Sequence, residues 1–399
     1  MSNLLYLSHR IPFPPNKGDK IRSFHTLKHL AGSHRVYLGS FVDDPVDWQY
    51  RDNLKEMCEE VFLCPLKPLH AKLRCIKGIF SGDPLTLPYY DDDRMRKWVN
   101  KTVREHDIHM IYVFSSSMAQ YIEEIDFTAT QSVLDLVDVD SDKWLQYASV
   151  KRWPLKSLYS REAAYLQKYE KKIANIFNVI TFVSSQEAEF FKGIAPDYTS
   201  RLSWLNNGVD YDYFSPDRVY PRIYEDGKKI MVFTGAMDYW ANADAVIWFV
   251  REVFNKVHSI LPESQFFIVG AKPSKEVRQL AEVSGVIVTG AVPDVRPYLA
   301  HANLSVAPLR IARGVQNKVL EAMSMGLPVV ATSAAVEGIL PSTSEQILSS
   351  DDPEQMCQLI IMLLQEGISS QSRQAIRNSV LSDYDWEKNL AELDRYYCI

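Results

Sequence analysis

Residues 304–323 read LSVAPLRIARGVQNKVLEAM. This stretch is an apolar strand followed by a polar loop and a helix, and the rest of the chain is organised around it. The strand Leu304–Ala307 ends at a proline, and the loop that follows carries Arg310, Arg313 and Gly314. Backbone N–H groups at a helix N-terminus have no partner within the helix, and the helix dipole favours an anion there. The loop therefore predicts a phosphate site.

The helix after this loop carries two charged residues on its first turns, Lys318 and Glu321. The lysine would strengthen a phosphate site. A glutamate would repel the phosphate, but it can accept hydrogen bonds from the hydroxyl groups of a ribose. The stretch therefore indicates a nucleotide or a nucleotide-sugar. An ordinary strand–loop–helix unit with a solvated glutamate is the alternative that this stretch alone leaves open.

The length and composition of the chain exclude several classes of protein. With 399 residues, the chain is expected to form two domains. A net charge of −6 argues against non-specific nucleic-acid binding, which requires a basic surface. Five cysteines without a CxxC pair give no metal-site spacing and are typical of a reducing compartment. The N-terminal residues lack the pattern of a signal peptide, and no segment reaches the ~18 apolar residues of a membrane span, so a cytoplasmic location is expected.

Strands and helices alternate through both halves of the chain, which predicts parallel sheets flanked by helices. Strands are expected in the first half at 4–8, 36–42, 108–114, 132–137 and 179–183. They are expected in the second half at 230–234, 266–269, 286–289, 304–307 and 328–331. Apart from 304–307, which ends at a proline, the strands of the second half end at glycine or small polar residues. An open parallel sheet binds its ligand at this rim.

The loop after the first strand, PFPPNKGDK at 12–20, carries a glycine that would let a ligand approach the backbone. That glycine is Gly18. The cations Lys17, Lys20 and Arg22 predict a positive pocket mouth beside it.

The sequence DVDSDKW at 138–144 follows the strand 132–137 and places three carboxylates at alternate positions. The calcium loop of an EF-hand does not fit, because its glycine position holds Lys143. A metal-binding Asp-x-Asp of another transferase architecture stays open. The simpler interpretation is that Asp138 faces the ligand crevice at the strand end, while Asp140 and Asp142 cap the next helix.

Residues 65–80, PLKPLHAKLRCIKGIF, alternate cations with apolar residues, and no acid occurs between Glu60 and Asp83. A basic amphipathic helix in an acidic protein predicts contact with a membrane surface. The alternative is a surface helix that packs its apolar face on the core.

Several motifs together resemble the retaining glycosyltransferases of family 4, whose GT-B fold has two facing Rossmann-like domains with parallel sheets and a cleft between them. The motifs are the Gly18 loop, Val183–Ser184, NGVD at 207–210 with Phe214 and Pro216, FTG at 233–235, VG at 269–270, TG at 289–290, AP at 307–308, EAMSMGLPVVAT at 321–332 and YDW at 384–386. More narrowly, the segments at 12–20, 138–144 and 235–240 resemble the bacterial sugar transferases associated with exosortase (PEP-CTERM) exopolysaccharide clusters.

The resemblance implies the following division of the chain. We expect an N-terminal acceptor-side domain over 1–215, a linker over 216–228, a C-terminal nucleotide-sugar-binding domain over 229–382, and a C-terminal helix over 383–399 that packs back toward the N-terminal domain.

The resemblance also implies an enzyme, a glycosyltransferase of the hexosyltransferase type. It would transfer a sugar, with retention, from a nucleotide-diphosphate donor such as a UDP-sugar. The acceptor would be a saccharide, free or linked to polyprenyl diphosphate at the inner membrane face, and no cofactor or metal is expected. A GT-B nucleotide-sugar epimerase, a non-catalytic nucleotide-sugar-binding subunit and a metal-dependent transferase are the alternatives.

Individual residues take their roles from the same resemblance. Glu321 matches the glutamate that contacts the ribose, whereas the first glutamate of the family falls on Arg313. The usual basic pair for the diphosphate is replaced by residues 237–239, so Arg313, Lys318 and Arg310 are expected to neutralise the phosphates. The catalytic candidates are Asp138, Lys318 and Arg313. The candidates for substrate binding are Gly18, Lys17, Gly235, Asn242, Gly270, Gly314, Gln316, Asn317 and Glu321.

Overall fold

The computed structural model describes residues 1–15, 18–123, 125, 131–149, 151–312 and 314–397. The chain divides into two compact units, one of Met1–Asn206 with the residues from Glu387 onward, and one of Asn207–Trp386. Each unit contains one parallel sheet with helices in the connections between its strands. This is the α/β architecture of two Rossmann-like domains that the sequence predicts.

The sheet of the first unit has, among the described residues, seven parallel strands in the order β3-β2-β1-β4-β5-β6-β7. The strands are β1 (Asn3–Ser8), β2 (Arg35–Val42), β3 (Glu60–Pro65), β4 (Met110–Phe114), β5 (Gln131–Val137), β6 (Val179–Phe182) and β7 (Leu202–Trp204). The helices of this unit that precede the second sheet are α1 (Gly18–Ser33), α2 (Arg51–Lys55), α3 (Pro68–Ser81), α4 (Thr86–Tyr89), α5 (Asp93–Glu105), α6 (Asp140–Ser149), α7 (Leu155–Ala174) and α8 (Ser185–Ile194).

The sheet of the second unit has, in the described part of the chain, six parallel strands in the order β10-β9-β8-β11-β12-β13. The strands are β8 (Lys229–Thr234), β9 (Ser264–Val269), β10 (Val286–Gly290), β11 (Leu304–Ala307), β12 (Val329–Ala331) and β13 (Leu348–Ser349). The remaining helices are α9 (Trp240–Phe249), α10 (Asn255–Ile260), α11 (Lys275–Gln279), α12 (Arg296–Ala300), α13 (Asn317–Ser324), α14 (Ser333–Val336), α15 (Pro341–Ser344), α16 (Pro353–Glu366), α17 (Ser370–Asp383) and α18 (Trp386–Tyr397).

The central strands are mainly apolar because helices and neighbouring strands leave them little solvent-facing surface. All five residues of β4, MIYVF, are buried. In β8, every residue after Lys229 is buried. A parallel sheet covered on both faces requires such continuous apolar runs, which is why these strands could be found in the sequence.

The division between the units lies after Asn206, whereas the sequence placed it after residue 215. The segment that follows Asn206 is bound to the second unit, since the N–H of Val209 donates to the carbonyl of Tyr384 at 2.8 Å. An Asn-Gly turn signals a change of direction. It does not report which core the next residues join.

Helix α18 belongs to the first unit from Glu387 onward. The hydroxyl of Tyr397 donates to the carbonyl of Ile111 in β4 at 3.1 Å, and His29 lies 2.9 Å from Asp394. The helix therefore packs beside α1 and the central strands of the first sheet. Among the helices of the described residues, none combines the length and the apolar character that crossing a bilayer requires.

Candidate functional site

The ends of β8 and β9 approach each other so closely that they leave no room for side chains. The N–H of Gly235 donates to the carbonyl of Val269 at 3.0 Å. A Cβ on Gly270 would lie 1.7 Å from the carbonyl oxygen of Gly235, so the strand ends would have to separate. The two predicted glycines are thus adjacent, and they form a rim of bare backbone at the carboxyl edge of the second sheet.

Asn242, in the first turns of α9, links this rim to α13. Its Nδ2 donates to the carbonyl of Ala236 at 2.9 Å, and its Oδ1 accepts from Nζ of Lys318 at 2.5 Å. The same Nζ lies 4.7 Å from the centre of the Phe233 ring, a cation–π contact. The lysine amine is therefore held in one place at the rim, with Asn242 as its positioning residue.

Lys318 and Glu321 are three residues apart on α13, so they share one face of the helix. Burial lowers the pKa of Lys318 to about 8, and the nearby Glu321 opposes this change. Burial also raises the pKa of Glu321 to about 7, against the effect of the Lys318 charge. Both groups thus titrate near neutral pH, where a change in ligand charge shifts their protonation.

The loop before α13 is fixed by contacts from residues to which the sequence gave no site role. Gly314 has a φ of +61°, and a Cβ on Gly338 would lie 2.5 Å from the Gly314 carbonyl oxygen. The Nδ2 of Asn207 lies 3.3 Å from Oδ1 of Asn317. Gln316 precedes α13, and its Nε2 lies 3.4 Å from the Gly314 carbonyl.

Asn207 stands before a glycine in the sequence, as in a turn, and Gly338 is a further glycine after β12. The signal that could have assigned Gly338 to the site is that it is a second glycine near the strand–loop–helix unit, since two backbone segments can pack closely only where a glycine lies between them. No local pattern predicts that the amide of Asn207 reaches Asn317.

The expected set of phosphate-binding cations changes in the structure. Arg310 is engaged by Asp244, with Nε 3.0 Å from Oδ2, and a guanidinium held by a carboxylate is a weaker candidate for a phosphate. Arg313 lies outside the described residues. Among the predicted cations that the structure describes, Lys318 is the one at the rim.

Lys20 and Arg22 do not line a pocket mouth, which corrects the prediction for the first unit. Lys20 is buried with its Nζ 2.5 Å from Asp47. Arg22 is buried and donates to both carboxylate oxygens of Asp135, at 2.7 and 3.0 Å. Buried charges are stable only when paired, so these cations join α1 to its neighbours and are not available to a ligand.

The other predicted residues of the first unit lie at the carboxyl edge of its sheet. Gly18 begins α1, and a Cβ there would meet no described atom within 4 Å. Lys17 lies outside the described residues. Asp138 follows β5 and is half-buried, with Oδ2 4.0 Å from Nζ of Lys143. Gly18 and Asp138 thus belong to the first unit, whereas Gly235, Asn242, Gly270, Lys318 and Glu321 form a group in the second.

The first turn of α6 is capped from another helix, whereas the sequence assigned that role to Asp140 and Asp142. Glu170 of α7 instead accepts the backbone N–H of Ser141 at 3.0 Å, and burial raises the pKa of Glu170 to about 8. Asp140 accepts from the hydroxyl of Ser116 at 3.1 Å, and Asp142 accepts from a glutamine one turn later. Within the described ranges, no group of three acidic, histidine or cysteine side chains is arranged to hold a metal ion.

Residues 228–366 match a family model described as glycosyl transferases group 1. The matched span contains the rim, Asn242, Lys318 and Glu321. The second unit thus carries a glycosyltransferase group 1 domain, which makes the chain a transferase, and the fold is of the GT-B type.

Three similar proteins cover nearly the whole chain. A Klebsiella pneumoniae protein described as an "uncharacterized 44.6 kDa protein in cps region" is 21% identical over 367 residues, 88% of each chain. The structure of sucrose-phosphate synthase from Thermosynechococcus elongatus matches with a TM-score of 0.72 and 15% identity, over 100% of this chain and 98% of that one. HepE from Anabaena in complex with UDP matches with a TM-score of 0.67 and 13% identity, over 100% and 99% of the chains. HepE has also been solved with UDP-glucose.

Proposed function

We propose that this glycosyltransferase moves a sugar from a UDP-sugar to a saccharide acceptor, free or lipid-linked, in the synthesis of a bacterial exopolysaccharide or cell-surface glycan. We further propose that the anomeric configuration is retained and that no metal takes part. The placement in family 4, and beside the exosortase-associated transferases, is supported by the sequence motifs given above.

The observation that carries the proposal is the pairing of Lys318 with Glu321 on α13, beside the bare backbone of Gly235 and Gly270. A cation fixed by Asn242 at 2.5 Å suits a diphosphate. A carboxylate one turn further suits the two hydroxyl groups of a ribose, because it can accept from both. The glycine rim lets the nucleotide approach the main chain. Together these features match a nucleoside diphosphate better than either part alone.

The chemistry requires a good leaving group. The bond between the sugar C1 and the diphosphate oxygen breaks, the acceptor oxygen bonds to C1, and the hydroxyl proton leaves with the diphosphate. Lys318 and the N–H groups at the start of α13 would stabilise the negative charge that develops on the diphosphate, in place of a metal ion. Asp138 of the first unit is the candidate group for contact with the sugar or acceptor.

Two of the similar proteins support the donor and the setting. HepE binds UDP and UDP-glucose at a comparable fold, which makes a UDP-sugar the first donor to test. The Klebsiella relative is named for its cps region, in keeping with polysaccharide synthesis. A growing bacterial glycan carried on polyprenyl diphosphate would be met at the cytoplasmic membrane face, where the helix over 65–80 could contribute peripheral contact.

The proposal is tested by incubating the protein with a panel of UDP-sugars in EDTA, with and without polyprenyl-diphosphate-linked saccharides. We expect UDP release that depends on the acceptor, and a product whose new linkage has the anomeric configuration of the donor by NMR. A Glu321→Gln variant should lose most of this release, while Glu276→Gln, on the exposed α11 of the same unit, should keep it.

Three results would contradict parts of the proposal. Turnover of the donor without any acceptor would favour an epimerase. Tight UDP binding with no turnover across the panel would favour a nucleotide-sugar-binding subunit. Activity that EDTA abolishes and a divalent cation restores would favour a metal-dependent transferase.

A further inference from the structure

Helix α3 presents its large apolar side chains to solvent. Leu69 is 76% exposed, Leu73 63% and Ile76 52%, and with spacings of four and three residues they lie on one face of the helix. The opposite face carries Ala71 and Gly78, both buried. The alternative in which α3 packs its apolar face on the core is therefore wrong.

The inward face of α3 is fixed by specific contacts, so the exposed stripe is not the result of a loosely placed helix. Arg74 donates to the carbonyls of Pro88 and Tyr89, each at 2.9 Å. A Cβ on Gly78 would lie 3.0 Å from the Pro88 ring. At Gly78 only a glycine fits without displacing the Pro88 ring, and the leucines and isoleucines are turned outward.

A second exposed apolar group lies in the turn before α7. Trp153 is 82% exposed and Leu155 45%, and the cations Lys151, Arg152 and Lys156 around them are exposed as well. No acid occurs between Asp142 and Glu162 in the sequence. A lone exposed tryptophan is costly in water, whereas tryptophan flanked by cations is typical of the interface of a bilayer.

The two groups lie on neighbouring elements. Arg161 of α7 donates to the carbonyl of Gly78 at 2.8 Å and to that of Asp83 at 3.2 Å, which joins α7 to the C-terminal end of α3. Six residues of helix separate Leu155 from Arg161, a length of about 9 Å. Trp153 lies two residues before Leu155, so this exposed group begins about 9 Å along α7 from the residue that contacts α3.

From these observations we infer that α3 and residues 151–156 form one membrane-docking surface for an anionic bilayer. The chain as a whole has a net charge of −6, so general attraction to anionic lipid is not expected. The docking surface differs, because Lys67, Lys72, Lys151, Arg152 and Lys156 lie beside exposed apolar side chains in two acid-free segments. Apolar insertion combined with local positive charge is how a peripheral protein binds anionic headgroups.

This inference deepens the proposed function, on which it rests for its purpose, by giving the enzyme its own contact with the membrane that carries a lipid-linked acceptor. Apolar side chains would enter the boundary between headgroups and acyl chains, while the lysines and arginines would contact lipid phosphates. A single amphipathic helix binds weakly. Two adjoining elements bind more tightly and fix the orientation of the domain.

The test is co-sedimentation of the full-length protein with vesicles of phosphatidylcholine, alone or mixed with phosphatidylglycerol. We expect binding that requires the anionic lipid and weakens with salt. Ile76→Ser and Trp153→Ser should each reduce partitioning by about tenfold or more, since each removes a large apolar side chain from the bilayer. Lys72→Gln and Lys156→Gln should each reduce it by about fivefold, the effect of one charge near an anionic surface.

The matched control is Ile260→Ser in α10 of the second unit, where the isoleucine is 57% exposed, close to the 52% of Ile76. Its partitioning should equal that of the unchanged protein. Equal losses in Ile260→Ser and Ile76→Ser, or no loss in Ile76→Ser and Trp153→Ser, would overturn the inference. A concentration-dependent dimer that Ile76→Ser abolishes would assign the surface to a second copy of the chain and would also overturn it.

Calorimetry with UDP separates this inference from the proposed function. Variants that lose vesicle binding should keep the UDP affinity of the unchanged protein, which also shows that they are folded. If UDP binds and vesicles do not, the docking surface is wrong and the proposed donor site stands. If vesicles bind and UDP does not, the proposed donor is wrong and the docking surface stands.

Discussion

The amine of Lys318 should contribute most of the preference for UDP over uridine, and Lys318→Met tests this. The methionine keeps an apolar side chain against the Phe233 ring, from which Nζ is 4.7 Å, and removes only the charge and its donors. Asn242 loses the partner of its Oδ1 but keeps the bond from Nδ2 to Ala236 at 2.9 Å. The turn after β8 should therefore stay in place, and the variant should fold.

The size of the effect follows from the donors of the amine. An ammonium has three donors, and the contact with Asn242 at 2.5 Å uses one of them. A hydrogen bond to a charged group contributes about 1.5–3 kcal/mol, which corresponds to about a ten- to 150-fold loss of affinity for UDP. Uridine has no phosphate, so its affinity should change by less than about twofold.

The assay is titration calorimetry with UDP and with uridine. Arg310→Met is the control. This cation lies on the same loop but is engaged by Asp244 at 3.0 Å, so its removal should weaken the affinity for UDP by less than about threefold. Equal losses for UDP and uridine in Lys318→Met would remove the diphosphate role of the lysine. A loss in Arg310→Met as large as in Lys318→Met would show that the wrong cation was assigned.

A pH titration adds an independent check. The pKa of Lys318 is lowered to about 8, so the free protein loses the charge as the pH rises through that value. UDP binding must then take up a proton, and the affinity should fall by up to about tenfold per pH unit above pH 8. Lys318→Met should lack this decline. A decline of the same slope in the variant would mean that another group titrates.

Two further predictions concern the ribose glutamate and the glycine rim. Because burial raises the pKa of Glu321 to about 7, the carboxylate is protonated as the pH falls through 7, and calorimetry should show uridine binding that weakens there. Glu321→Gln should bind uridine about tenfold more weakly at pH 8 and without this pH dependence. Gly270→Ala should lower the free energy of unfolding in urea by about 2–4 kcal/mol, since its Cβ would lie 1.7 Å from the Gly235 carbonyl. Gly32→Ala, where nothing lies within 4 Å, should not destabilise the protein.

The central strands could be predicted from the sequence because each is a largely apolar run. Ile230 to Thr234 differs from the observed β8 only by one residue at its start. Strand β7 was missed, because its three residues are half-buried or exposed at the edge of the sheet. Edge strands lack the burial that makes the central ones apolar, so their sequence resembles that of a loop.

The site could be predicted only in part, because the role of a cation depends on its partner. The sequence assigned Lys20 and Arg22 to a positive pocket mouth, and Arg310 and Lys318 to the phosphates, and in each case it showed only a cation in a loop or at a helix start. The first three are held by Asp47, Asp135 and Asp244, which are 27, 113 and 66 residues distant in the chain. Lys318 is held by an uncharged amide, which fixes the amine without neutralising it. The local spacing of residues does not show which distant side chain a cation will pair with.

Helix α3 shows a sequence pattern for which two interpretations were open, although the sequence contained a signal that separates them. Apolar residues at 69, 73 and 76 predict an amphipathic helix, and the default assumption is that the apolar side faces the core. The small residues Ala71, Cys75 and Gly78 recur at the same helical spacing on the other side. Close packing selects small residues, since only they let a helix approach its neighbour as closely as Gly78 approaches Pro88. When one face of a helix carries small residues and the other carries large apolar residues flanked by lysines, the face with the small residues is the one that is buried. The large apolar residues then require another apolar partner.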